Sequence, residues 1–364
     1  MGSCSVKSKT QETISPSKLQ YKRFAKIALS EPQPGNLNSN TMKLFLVKPK
    51  FVEAKPIEYL EKAYQLSMCI LPGTDPLERI YKECQDTCFC LNSSDNIFIG
   101  VYDGHGKEGE HVVNFCTNFV KNFYQHNFKT KVDSIGEFLR AATNKCDDFI
   151  KLNSSIDVSL SGTTQVLVVL RNNLLNIANV GDSRAVLASL SKETNQLQNL
   201  QLTTDQKPET ETELFRIIKS GGVVQKMLNE GQKVGPYRVW GKYSGAPGLA
   251  MSRSIGDSIA SELGVICTPE LIERPLEPLD QFVVVATDGV WGVMSNEEVV
   301  KFVQRYRKVT LKEARQVPEG PPSVKNSCIA QLLCEEARLK WLELIEQDMT
   351  IIDDISCVIL EFNQ

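Results

Sequence analysis

The segment FIGVYDGHGKEG, Phe98–Gly109, admits two opposed readings. Gly104, Gly106 and Gly109 follow an apolar run and spell G-x-G-x-x-G, the pattern of a loop that cradles a dinucleotide pyrophosphate on its backbone amides. Asp103 and His105 are threaded through the same glycines. A carboxylate in that place repels a phosphate and attracts a cation. The strands on either side of the segment decide between the two.

The run NIFIGVY reads as a strand ending at the glycines, and HVVNFCTNFVKNF after it carries Val112, Phe115 or Cys116, Phe119 and Phe123 at helical spacing. TQVLVVL, NLLNIANV and RAVLASL then follow with links of only RNN and GDS. Such links are too short for parallel neighbours, which need a crossover of about a dozen residues. QFVVVAT and ISCVILEF are nearly continuous apolar strands, of the kind covered on both faces. Between them lie two helices. One opens at a capping box, Ser295 to Glu298; the other, SCIAQLLCEEARLKWLELI, sets its stripe on Ile329, Leu332, Leu333, Ala337, Trp341 and Leu344. A dinucleotide fold needs regular βαβ units instead, so the glycine pattern reads as a tight turn.

The chain has 364 residues, 41% hydrophobic and 23% charged, with a formal net charge of -3. Those values fit a globular protein and give no whole-chain reason to expect nucleic acid as a partner. No apolar run approaches the roughly eighteen residues of a membrane-spanning helix, and the polar N-terminus does not read as a signal peptide. Eleven cysteines without a framework pattern point to a reduced, cytoplasmic protein. Cys84, Cys88 and Cys90 cluster without a C-x-x-C pair, which argues against zinc. With only His105, His111 and His126 available, any metal site is expected to be built from carboxylates.

Residues 1–55, rich in Ser, Lys, Pro and Asn, are expected to form a flexible extension, with one short ordered run at Met42–Val47. PIEYLEKAYQL is expected to begin the globular part, 56–364, as a short helix with Pro56 in its first turn. The opening MGSC presents Gly2 for myristoylation and Cys4 for a second acyl chain, although Val6 stands where the acceptor pattern wants Ser or Thr. Peripheral membrane attachment through this N-terminus and an ordinary polar tail both remain open. A monomer is expected.

Acidic residues recur at strand ends: Asp86 in KECQDTCF, Asp103 in VYDGHG, Asp288 in VVVATDGVW and Asp353 in TIIDDISCVIL. Asp182 in NVGDSR and Asp257 in SRSIGD extend the series. One such acid can be a cap, but four on different strands are costly unless they converge on cations. Oxygen ligands select hard ions such as Mg2+ or Mn2+. Two of these about 4 Å apart are a common apparatus for phosphoryl hydrolysis.

With these motifs the chain resembles the metal-dependent serine/threonine protein phosphatases of the type 2C family. The resemblance runs in order through VYDGHG, LSGTTQVLVVL, IANVGDSRAVL, LTTDQKPE, IIKSGGVV, VGPYRVWGKYSGAPGLAMSRSIGD, VICTPEL, VVVATDGVWGVMSNEEV and DDISCVIL, over roughly residues 76–364. It implies an α+β fold, a β-sandwich of two mostly antiparallel sheets flanked by pairs of helices, with a two-metal centre at one rim. It implies that Asp103 bridges the two ions, that Gly104 gives its carbonyl to one, and that Asp288 and Asp353 bind the other. Asp86 stands where the family has an acid that holds water, and His105 matches the general acid proposed for the leaving oxygen. Asp182 matches a ligand of a third, weaker ion, and Asp257 is a candidate acid behind the site.

Three departures are visible. Gly292 replaces the third ion's other carboxylate, four residues after Asp288, so that ion should be weak or absent. Gln206 replaces a usual histidine. Where some members carry a phosphate-clamping arginine the residue is Tyr81, with Arg79 as a nearby substitute. The activity implied is hydrolysis of phosphoserine and phosphothreonine in proteins by direct attack of water. A Cys-x5-Arg thiol mechanism finds no match. A catalytically inactive binding or scaffold protein on the same fold is the alternative, disfavoured because Asp103, Asp288 and Asp353 are all present.

Overall fold

Along the strand Asp280–Ala286, Val283 and Val285 face one apolar cluster while Phe282, Val284 and Ala286 face another, and all five are buried. A strand buried on both faces belongs to the middle of a layered structure, and the computed structural model shows those layers. It describes residues 48–60, 62–75, 80–81, 83–128, 134–313, 328–345 and 351–362. Gly2, Cys4, the run Met42–Val47 and Arg79 lie outside the described residues.

Two antiparallel sheets pack face to face. The first runs, in spatial order, Phe51–Tyr59, Lys62–Leu71, Ile355–Phe362, Asp280–Ala286, Arg184–Leu190 and Leu197–Gln201. The second is built on Ile97–His105, flanked by Asp86–Asn92 and Gln165–Arg171, and continues through Leu174–Val180 to Glu270–Pro275. Leu66, Met68, Val283, Val285, Val358 and Leu360 of the first sheet meet Ile97, Ile99, Val101, Val166, Val168 and Ile177 of the second in the central core. The opposite face of the first sheet carries the helices Asn296–Glu313 and Ile329–Ile345. That of the second carries Gly109–Asn127 and Ile135–Leu152. This is the α+β sandwich with paired helices that the sequence implies.

Several local expectations change. PIEYLEKAYQL is a β-hairpin, with Phe51–Tyr59 paired to Lys62–Leu71 in register Ile57↔Tyr64. Ile57, Tyr59, Tyr64, Leu66 and Met68 alternate into the core, and the second strand pairs with Ile355–Phe362, so tertiary pairing overrides helical spacing. Among the described residues, strand structure begins at Phe51. Of the three closely linked strands, Gln165–Arg171 and Leu174–Val180 pair, but Arg184–Leu190 crosses to the other sheet. The capping box is formed, Ser295 Oγ accepting from the Glu298 amide at 3.3 Å and Glu298 Oε2 from the Ser295 amide at 2.8 Å. In Ile329–Ile345 the buried stripe is Ile329, Ala330, Leu333, Cys334, Ala337 and Arg338, and Leu332, Trp341 and Leu344 are only partly covered. The helix is turned so that its small residues approach the sheet.

The crossing between sheets and the ends of two central strands bring the acids to one rim. At Gly181, φ is +96°, a conformation suited to glycine, and the chain there leaves one sheet for the other through Asp182 and Ser183. At Gly289 an added Cβ would lie 2.0 Å from the Asp354 carbonyl oxygen, so only glycine lets the start of the Asp288–Trp291 turn approach the 353–355 backbone. We expect Gly289→Ala to cost roughly 1–3 kcal/mol because backbone must move. Urea unfolding checks this, and a stability within about 0.5 kcal/mol of wild type would contradict the close approach.

Candidate functional site

Asp86 and Asp103 stand opposite each other in the register of adjacent strands. The Asp103 backbone is pinned: its amide donates to Thr164 Oγ1 at 3.1 Å, and its carbonyl accepts from the Thr164 amide at 2.9 Å and Thr163 Oγ1 at 3.0 Å. Asp86 is buried, with Oδ2 accepting from Thr287 Oγ1 at 3.0 Å. Thr287 directly follows the central strand Asp280–Ala286 of the other sheet, and its hydroxyl oxygen also accepts the Ser356 amide at 3.1 Å. One hydroxyl thus ties Asp86 to the two strands whose ends hold Asp288 and Asp353. Asp288 opens the short helical turn, and Asp353 lies two residues before the last strand, where its carboxylate accepts the Asp354 amide at 2.9 Å.

The second acid of the DD pair acts on the backbone instead. Asp354 is buried, accepting from the Gly73 amide at 2.5 Å and the Gln85 amide at 2.8 Å. It fixes the segment leading into Asp86. Two adjacent acids before a strand project to opposite sides, so one faces the rim and one the interior.

The electrostatics are unfavourable as they stand. Burial first, then the neighbouring acids Asp86, Asp288, Asp353 and Asp182, push the Asp103 carboxyl well above its usual range. Burial, followed by repulsion from Asp354 and Asp353, does the same to Asp86. Asp288 is pushed up to about 7, by burial first and then by Asp353 and Asp182. The Asp288 and Asp103 carboxyls lie near enough to affect each other, which favours keeping one of them protonated. Buried oxygens without a protein partner remain on Asp86, Asp182 and Asp288, in each case Oδ1. Among the described residues no group of three or more His, Cys, Asp or Glu side chains forms a ready-made metal cage. The donor set, carboxylates with open oxygens plus the Gly104 carbonyl, nevertheless fits hard divalent ions, whose charge would replace that proton.

The third-ion position is different. Asp182 is buried and bonded to the ammonium of Lys207. Burial alone would lower the Lys207 pKa, but Asp182 and Asp288 outweigh it and raise it. Gly292 supplies no carboxylate, and a Cβ there would sit 2.8 Å from the Asp288 carbonyl oxygen and 3.2 Å from the Trp341 ring. The residues around Asp182 thus fit a fixed ammonium better than a third divalent ion. Gln206 braces the turn that carries Asp182, with Oε1 accepting the Gly181 amide at 2.7 Å and Nε2 donating to the Asn179 carbonyl at 3.1 Å.

His105 Nε2 lies 2.6 Å from Asp257 Oδ2, while Nδ1 is buried without a partner. Burial alone would lower the His105 pKa; the Asp257 carboxylate outweighs it and raises it. Behind Asp86, burial pushes the Cys84 and Cys88 thiols up, so neither supplies a thiolate at this rim. Thr287, Asp354, Lys207 and the Thr163–Thr164 pair were not singled out by the sequence. A hydroxyl or second acid directly beside a candidate acid is the signal that could have found the first two.

The raised carboxyls set a pH dependence. In chelator, Asp288 has a folded-state pKa of about 7, above its unfolded value near 4. Its contribution to stability is present below about pH 4 and is lost as pH rises through about 7. Because Asp288 is only partly covered, the expected loss is on the order of 1–2 kcal/mol. Urea unfolding in chelator across this range should show wild type losing stability relative to Asp288→Asn. A difference independent of pH would contradict a raised Asp288 carboxyl.

The model of the protein phosphatase 2C family matches residues 75–338. Probable protein phosphatase 2C 65 of Arabidopsis thaliana is 38% identical over 228 residues, covering 57% of this chain and 58% of that protein. Probable protein phosphatase 2C 72 of the same plant is 30% identical over 311 residues, covering 81% and 84%. For the first of these relatives, then, this chain spans less than two thirds of the protein. In fold, the crystal structure of a serine-threonine phosphatase 2C from Toxoplasma gondii superposes with a TM-score of 0.64 at 21% identity, over 86% of this chain and 99% of that one. The ordered motifs, the layered sandwich and the family match agree: the chain belongs to the protein phosphatase 2C family.

Proposed function

We propose that this rim hydrolyses phosphoserine and phosphothreonine esters on proteins with the help of two Mg2+ or Mn2+ ions. The observation that carries the reading is the convergence of Asp86 and Asp103 from one sheet with Asp288 and Asp353 from the other. Their burial and mutual repulsion raise three of the four carboxyls. Asp103 and the Gly104 carbonyl, with Asp288 and Asp353, would hold the ions. When bound, the ions neutralise charge growing on the phosphoryl oxygens and acidify the attacking water.

The chain's own groups do the rest. Asp86, fixed through Oδ2 by Thr287, keeps Oδ1 open to accept from and orient a water at the rim. His105, held at Nε2 and without a protein partner at Nδ1, would as an imidazolium give the Nδ1 proton to the departing serine or threonine oxygen. Lys207, bonded to Asp182 beside Asp288, leaves a third ion only a weak place.

Hydrolysis of a phosphothreonine peptide should require added Mn2+ or Mg2+ and cease in chelator. Asp103→Asn and Asp288→Asn should each lower kcat by about 100-fold or more with the fold retained. Full activity in protein stripped of metal, verified by elemental analysis, would overturn the proposal. His105→Asn should lose far more rate on the phosphothreonine peptide than on p-nitrophenyl phosphate, whose leaving group needs no proton. Equal losses would mean that His105 holds structure or water instead.

A further inference from the structure

The backbone at Asp257 adopts φ 42° and ψ 54°, the left-handed region, which a residue with a side chain occupies at some cost. The surroundings hold it there. Its amide donates to the Ser161 carbonyl at 2.9 Å. The preceding residue, Gly256, donates its amide to Asp147 Oδ1 at 2.8 Å. Asp257 is 2% exposed, and its carboxylate lies against Gly162, where a Cβ would come within 2.1 Å of Oδ2. That same oxygen accepts from Ser254 Oγ at 2.6 Å and stands 2.6 Å from His105 Nε2. Gly162 from one part of the chain, and Ser254 with the left-handed turn at Asp257 from another, thus fix one carboxylate oxygen, and that oxygen bonds His105.

A carboxylate on one imidazole nitrogen fixes both the ring's rotation and which nitrogen carries the proton. Here it holds Nε2 and leaves Nδ1, buried and without a protein partner, as the other ring nitrogen. We propose that Asp257 is a positioning residue: through Nε2–H it orients the His105 ring, which acts as an imidazolium protonated on both nitrogens, so that Nδ1–H gives its proton to the departing alkoxide and the ring is left neutral with Nε2–H still on Asp257. This rests on the reading of His105 as proton donor. An asparagine in its place is nearly isosteric but can present an amide N–H to Nε2, which releases the ring from its single orientation.

The test uses the full chain loaded with Mn2+ and compares a phosphothreonine peptide with p-nitrophenyl phosphate for wild type, Asp257→Asn, His105→Asn and the double variant. For Asp257→Asn the loss of kcat on the peptide should exceed that on p-nitrophenyl phosphate by about tenfold or more. The double variant should be no slower on the peptide than His105→Asn, because the two residues act as one unit. Equal losses on both substrates for Asp257→Asn, or losses that multiply in the double variant, would overturn the proposal. If His105→Asn shows the leaving-group difference and Asp257→Asn does not, only the role of Asp257 falls. If His105→Asn itself shows none, both readings fall. Should Asp257→Asn not fold, Ser254→Ala, which removes the other partner of the same oxygen, should give a smaller difference in the same direction. Equal losses there would overturn the proposal as well.

Discussion

Asp86 and Asp103 face each other across neighbouring strands, and Asp288 approaches Asp103 from the opposite sheet. Like charges brought together in this way repel by a few kcal/mol at an effective dielectric of about 20, and the rim holds them together regardless. The threonines do much of this holding. Thr163 and Thr164 fix the Asp103 backbone, and Thr287 joins Asp86 to the strand end that carries Asp288. The glycines do the rest, Gly289 by letting the Asp288 turn approach the 353–355 backbone and Gly181 by letting the chain change sheets at Asp182. A scaffold that holds acids together against such repulsion calls for a positive partner.

At Asp182 the chain itself supplies such a partner. Lys207 sits on Asp182, and the position four residues after Asp288 is Gly292, with no room for a side chain. The carboxyls of Asp86, Asp103 and Asp288 are instead raised by burial and by the neighbouring acids. The rim is therefore divided between a part whose charge is balanced from within and a part whose charge is not. His105 lies beside the unbalanced part and is itself held by Asp257.

The strands with continuous or alternating apolar runs were legible because burial on both faces leaves a plain pattern, as in QFVVVAT and ISCVILEF. The acids were legible because each interrupts or ends such a run. PIEYLEKAYQL misled because its apolar residues satisfy helical spacing as well as alternation, and only pairing with Ile355–Phe362, remote in sequence, selects the strand. The hairpin of Gly222–Asn229 and Gln232–Gly241 drew no notice as an element, although Glu230 and Gly231 at φ 47° and 81° make its tight turn. The partners of Asp182 and His105 were hidden for the same reason: Lys207 and Asp257 lie 25 and 152 residues away in the chain.

The central claim, that divalent cations take the place of protons at this rim, is tested most directly by calorimetric titration of metal-stripped protein with Mn2+ in buffers of different ionisation enthalpy near pH 6. Two ions per chain should bind appreciably more tightly than any other, and the heat should vary with the buffer because the raised carboxyls, Asp288 at about 7 among them, release protons as the ions enter. Three comparably tight ions, or binding with no proton release, would contradict the account.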